Sequence, residues 1–146
     1  MRLSVEAHRE VEEFFRRHEG RPGLVLPPVY VYAGALARLL TEPARVGAIT
    51  FGRRVFIRPT LIKKDSTGRA SVPAWLLVHE AAHVLQYDER GFVGFLVRYL
   101  RGYVRGLKEG KGLNADARNA AYLAIPEERA ARDAERAYVE SRRGTA

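Results

Sequence analysis

The sequence predicts an α+β fold, a small sheet containing one β-hairpin packed on four or five helices. Three observations carry this. Residues 45–58 (RVGAITFGRRVFIR) place two apolar, β-branched runs either side of Gly52-Arg53, the pattern of a tight hairpin. Residues 74–89 contain neither proline nor glycine, so a helix of several turns can run through them. Residues 92–107 set Phe92, Phe95, Leu96, Tyr99, Leu100, Tyr103 and Leu107 at helical spacing. With 146 residues, a single domain over 1–146 can bury a core without staples.

Ser4 to His18 reads as an amphipathic helix, capped by Ser4 and striped by Val11, Phe14 and Phe15. Gly20, Pro22 and Gly23 stop it, and His8 and His18 fall among charged residues, where solvation is expected. Leu24 to Tyr32 is β-branched and aromatic but broken by Pro27-Pro28, which predicts an edge or irregular extended piece. Ala33 to Leu40 is expected to be a short helix that ends before Pro43. After the hairpin, Thr60 to Val72 reads as a polar loop containing Lys63-Lys64-Asp65 and Ser66-Thr67-Gly68. The next helix starts near Ser71–Pro73 and ends by Gly91. In the 92–107 helix the apolar stripe is expected to meet the core, with Arg98, Arg101, Arg105 and Lys108 on the solvated side. Gly110 to Asn114 is a loop, Ala115 to Leu123 a helix, and Pro126 opens a last helix to about Glu140. Residues 142–146 read as a frayed tail.

Cysteine is absent, which excludes disulfides, thiol nucleophiles and zinc knuckles. The charged first ten residues have no apolar core of a signal peptide, and no run approaches the ~18 apolar residues of a span. A cytoplasmic protein without a membrane partner is expected. The net charge is +8, from 21 arginines and 4 lysines against 17 acids. The arginines are scattered rather than clustered, so specific nucleic-acid binding is not expected.

The chemistry concentrates in residues 76–86, LLVHEAAHVLQ. On a helix His79 and His83, four apart, share one face with Cβ atoms about 5–6 Å apart. Two imidazoles so placed can reach one ion through bonds of about 2.0–2.1 Å. Glu80 is turned about 100° from His79, so it borders the ion and can act as general base toward a water. The competing reading is a core helix with hydrogen-bonded histidines. It leaves two imidazoles and a carboxylate unexplained in an apolar segment.

HEAAH within apolar flanks resembles the zincin metallopeptidases. The order of hairpin, loop and LLVHEAAHVLQ is similar to the small bacterial zincin-like core domain associated with contractile injection systems. That resemblance covers roughly residues 34–86. Beyond it, Ile125-Pro126-Glu127-Glu128-Arg129-Ala130-Ala131 is similar in layout to gluzincins, where a glutamate three residues before an alanine is the third ligand. The resemblance thus implies Zn²⁺ held by His79, His83 and Glu128. The helical wheel points instead to Glu127, nearer the centre of the small face made by Ala130, Ala131, Ala134 and Ala137. Glu89 stands at the metzincin-like distance, but Gln86 occupies the place of that family's glycine. Tyr122, Tyr87 and Arg132 are candidate transition-state donors. The expected function is zinc-dependent hydrolysis of a peptide or protein substrate with Glu80 as base. Two other readings stand beside it: a non-catalytic interaction module on a zincin scaffold, and a basic nucleic-acid-binding protein.

Overall fold

The computed structural model describes residues 2–64 and 70–144. Helix α1 spans Val5–His18, with the Ser4 hydroxyl accepting from the Ala7 N–H. The chain then passes through Leu24, Leu26 and Val29, all buried, into strand β1, Tyr30–Tyr32. Helix α2 is Ala35–Ala44. Strands β2, Ala48–Phe51, and β3, Arg54–Ile57, pair antiparallel, with Phe51 opposite Arg54. The two-residue turn places Gly52 at φ +60°, a conformation glycine adopts without cost. β1 joins the other side of β3 in parallel, giving the order β1-β3-β2. β1 is therefore an edge strand, as the Pro27-Pro28 interruption predicts.

The next helices follow closely. α3 is Ala74–Arg90 and α4 is Phe92–Glu109. Only Gly91 separates them, at φ +72°. α5 is Ala115–Ala124, capped by the Asn114 side chain, and α6 is Pro126–Arg143. Six α-helices are thus present among the described residues, in the six stretches where the sequence predicts a helix. The core joins Val11, Phe14 and Phe15 of α1 to Leu77, Val78, Ala81 and Val84 of α3 and to Ala131, Ala134 and Tyr138 of α6. The alanines let α6 lie close along α3, which brings the acidic flank of α6 against the histidines.

Four expectations need correction. α2 continues through Pro43. The carbonyl that proline cannot engage belongs to Leu39, an exposed residue, and the helix closes two residues later at Arg45, in the left-handed region. The 60–72 stretch is more ordered than a loop. A 3₁₀ turn at Pro59–Leu61 leads into a short ladder of β4, Lys63–Lys64, with β5, Ala70–Ser71; residues 65–69 lie outside the described residues. α6 runs on through Arg142 and Arg143 to a cap at Gly144, while residues 145–146 of the expected tail also lie outside the described residues.

The fourth correction concerns α4. Of its expected stripe only Phe95 is buried, whereas Leu100 and Leu96 are exposed. The face that meets the body of the protein is built from Phe95, Tyr99, Gly102 and Gly106. At Gly106 an added Cβ would stand 2.8 Å from the Ala121 Cα, so α5 rests on bare backbone. Glycines do not register in an apolar count, so the expected stripe took in Phe95 and Tyr99 of this face but not the two glycines beside them.

Candidate metal centre

One ligand atom from each of His79, His83 and Glu128 lies within 4.8 Å of the others, the one such grouping among the described residues. The two histidines come from consecutive turns of α3, their rings 5.2 Å apart and inclined at 75°. Glu128 comes from the first turn of α6. Its Oε2 stands 3.4 Å from His79 Nε2 and its Oε1 3.2 Å from His83 Nε2. Ligands bonded at about 2.0–2.1 Å in a tetrahedron are separated by about 3.3 Å, so the spacing suits one small ion. Glu128 is 2% exposed, yet Oε2 accepts no hydrogen bond. A buried carboxylate oxygen without a hydrogen-bond donor is open to an ion or a water, and here two imidazole nitrogens stand beside the carboxylate.

Both imidazoles are held from behind. His79 Nδ1 donates to Glu135 Oε2 at 3.0 Å, and His83 Nδ1 donates to Gln86 Oε1 at 2.9 Å. The Gln86 amide nitrogen donates to the Glu127 carbonyl at 3.1 Å, which fixes which end of the amide faces His83. With Nδ1 protonated, each Nε2 is the atom left for a metal. Such partners orient the ring and raise its basicity.

Charge is arranged to match. Burial opposes the imidazolium form of His79 and His83, but the Glu128 contact and the nearby Glu80 charge outweigh it and raise both pKa values. Burial alone would raise the Glu128 carboxyl; the contacts from His79 and His83 hold it well below the usual range. The Tyr99 hydroxyl donates to Glu128 Oε1 at 2.7 Å. Burial, and then the Glu128 charge, push the hydroxyls of Tyr99 and Tyr122 far up, so both stay donors.

Glu80 faces the same cleft, a volume of about 270 Å³ whose opposite wall is β2. It is 4% exposed, and the Thr50 hydroxyl of β2 donates to its Oε2 at 2.6 Å. Glu80 is not part of the His/His/Glu grouping, in keeping with its 100° turn on the helix.

Of the alternatives for the third carboxylate, neither joins the histidines. Glu127 is buried, but Oε1 takes Arg90 at 3.1 Å and Arg98 at 3.4 Å. Glu89 pairs with Arg21 on the surface. Tyr122 and Tyr87 line the cleft, burial raising the Tyr87 hydroxyl to about 12. Arg132 instead donates to the Leu123 carbonyl at 2.5 Å. His8 is half-buried with Nε2 3.2 Å from the Pro27 carbonyl, and His18 stacks on Phe14. Sequence reasoning missed Glu135, Gln86, Tyr99 and Thr50 as supporting residues. Two of them carried a signal. Glu135 follows Glu128 by seven residues, hence on one flank of the helix, and Gln86 follows His83 by three.

The fold and grouping define an α+β domain with a two-histidine, one-glutamate metal-binding geometry on an α3–α6 helix pair. The chain belongs to the eCIS core domain family, whose model matches residues 10–91. That sets it among the domains associated with contractile injection systems. The match covers both histidines and Glu80 and ends at Gly91, so Glu128 and Glu135, both on α6, come from beyond it. Searches of curated proteins and of solved structures found no match. No described helix is long and apolar enough to cross a membrane.

Proposed function

We propose that this chain is a metal-dependent hydrolase of peptide bonds, with Zn²⁺ the expected ion. The observation that carries the reading is Glu80, a buried carboxylate beside the His/His/Glu group, outside it, and lining the same cleft. His79, His83 and Glu128 would hold the ion. Zinc bound there supplies Lewis acidity, polarising a carbonyl and acidifying a water. Glu80 takes the proton from the attacking water and delivers it to the leaving amine, help that typically contributes ~10²–10⁴-fold. The Thr50 hydrogen bond fixes one carboxylate oxygen and so aims the other. Tyr122, kept protonated and lining the same cleft, would donate to the oxygen that gains charge.

The substrate class follows from β2. In the β1-β3-β2 order this strand has one neighbour among the described residues, and Ala48 to Phe51 line the cleft. An extended peptide can add to such an edge through main-chain hydrogen bonds. A scaffold with a structural ion would use the same three ligands but leave Glu80 and its Thr50 contact without a role.

Glu80→Gln keeps the shape and removes the proton acceptor. It should retain one equivalent of zinc by metal analysis and lose turnover of a fluorogenic peptide library. Full turnover in this variant would refute the assignment. Zinc uptake with no cleavage by the wild type would favour the scaffold.

A further inference from the structure

We propose that the outward face of α4 is a docking seam for an acidic amphipathic helix of a partner protein. The inference is independent of the metal chemistry. Val93, Val97, Leu100 and Val104 are 71, 49, 62 and 41% exposed. With half-buried Leu107 they follow one another at spacings of four, three, four and three residues. That is the seam of a coiled coil, and its alternation sets Val97 and Val104 at one core position and Val93, Leu100 and Leu107 at the other. β-branched residues at the first, with leucine at the second from Leu100 on, favour two-stranded pairing. The seam is about 21 Å long at 1.5 Å per residue. It points away from the face where Phe95, Gly102 and Gly106 pack, and Val93, Val97, Leu100 and Val104 are left exposed by the described elements.

Charge selects the occupant. Arg101 and Lys108 flank the seam on one side, and Leu96 and Tyr103 flank it on the other. No acidic residue occurs from Phe92 to Lys108. A second copy running antiparallel would set Arg101 and Lys108 against their own kind. A parallel copy would set them against Leu96 and Tyr103, with no ion pair gained. A helix with glutamates beside its own apolar seam satisfies both cations. An anionic lipid surface would use the charges but has no use for the alternating spacing. Because Leu96 also lines the cleft, the docked helix would run beside its mouth.

The test uses the full chain and a fluorescein-labelled three-heptad helical peptide, with Val and Leu in its seam and Glu on both flanks. A second peptide carries Lys on the flanks instead. By anisotropy the acidic peptide should bind about tenfold more tightly than the basic one, since two attractions become two repulsions. Raising salt should shrink that difference. Val97→Glu with Leu100→Glu should abolish binding while circular dichroism shows an unchanged melting curve, both positions being exposed. Equal binding of the two peptides, or binding of neither, would overturn the proposal. So would vesicles of anionic phospholipid capturing the wild type but not the double variant while the acidic peptide fails. A dimer in sedimentation equilibrium that the double variant loses would overturn it in favour of a second copy.

Discussion

Replacing Glu128 with glutamine preserves volume and shape and removes the negative charge. The residue is 2% exposed, and glutamine, matching glutamate in size, adds no bulk to a packed site. Tyr99 can still donate to the amide oxygen, as it does to Oε1 at 2.7 Å. What is lost is the negative charge shared by Oε2, 3.4 Å from His79 Nε2, and Oε1, 3.2 Å from His83 Nε2. Structural zinc sites with four protein ligands bind with about 10–16 kcal/mol, so one ligand is worth about 2.5–4 kcal/mol. Zinc affinity in Glu128→Gln should therefore fall by a factor on the order of 10²–10³. A competition titration against a chromophoric chelator reads this directly. Glu127→Gln is the paired control, one residue away and equally buried. Its carboxylate serves Arg90 and Arg98, so zinc affinity should be unchanged there. Wild-type affinity in Glu128→Gln, or an equal loss in Glu127→Gln, would refute the ligand set.

Three further outcomes follow from the same geometry. Glu135→Ala removes the acceptor behind His79 and leaves all three ligands in place; zinc affinity should fall about 10–100-fold, by the same titration. In chelator-treated protein the raised pKa values of His79 and His83 add stability that is complete below the unfolded value of 6.5 and is lost as pH rises through the folded values. The lowered Glu128 pKa adds stability present above the unfolded 4.5 and lost as pH falls through the folded value. Melting temperature without metal should thus peak between those limits and decline above pH 6.5, whereas zinc, which competes with the imidazole protons, should stabilise most at the higher pH. Gly106→Ala would drive a methyl to 2.8 Å from the Ala121 Cα and 3.1 Å from its carbonyl oxygen. Overpacking of about 1–3 kcal/mol should exceed the roughly 1 kcal/mol gained in helix propensity, lowering the melting temperature by a few degrees.

The parts of the site written in one local pattern were legible in the sequence. His79, Glu80 and His83 sit on a single helix, so a period of 3.6 fixes their relation before any tertiary contact is known. The hairpin was equally local, because Gly52-Arg53 sets both turn and register. The third carboxylate was not local. The wheel of α6 favoured Glu127, which does point nearest the middle of the buried face. That middle, however, lies where Arg90 and Arg98 reach across from α3 and α4, and they claim the carboxylate. Glu128, turned 100° to the flank, is the one that meets the histidines. The angle within a helix was read correctly; which neighbour stood at that angle depended on how α3 and α6 pack.

α4 shows why such packing escapes periodicity. Its sequence carries apolar residues on two faces, and counting side chains favours the larger one. The face that packs is chosen instead by how closely backbones can approach. Gly102 and Gly106 let α5 and the start of α6 come to contact distance, an added Cβ at Gly102 lying 3.2 Å from the Pro126 ring. Close approach extends dispersion contacts over whole backbones, so two glycines outweigh four aliphatic side chains in orienting the helix. The leucines and valines left outside stand at heptad spacing, an alternation that a solvated face does not impose. A surface free to vary would hold single exposed apolar residues, which are common, rather than four in register beside two cations. That contrast makes the α4 seam an interface to be filled rather than a defect of the core.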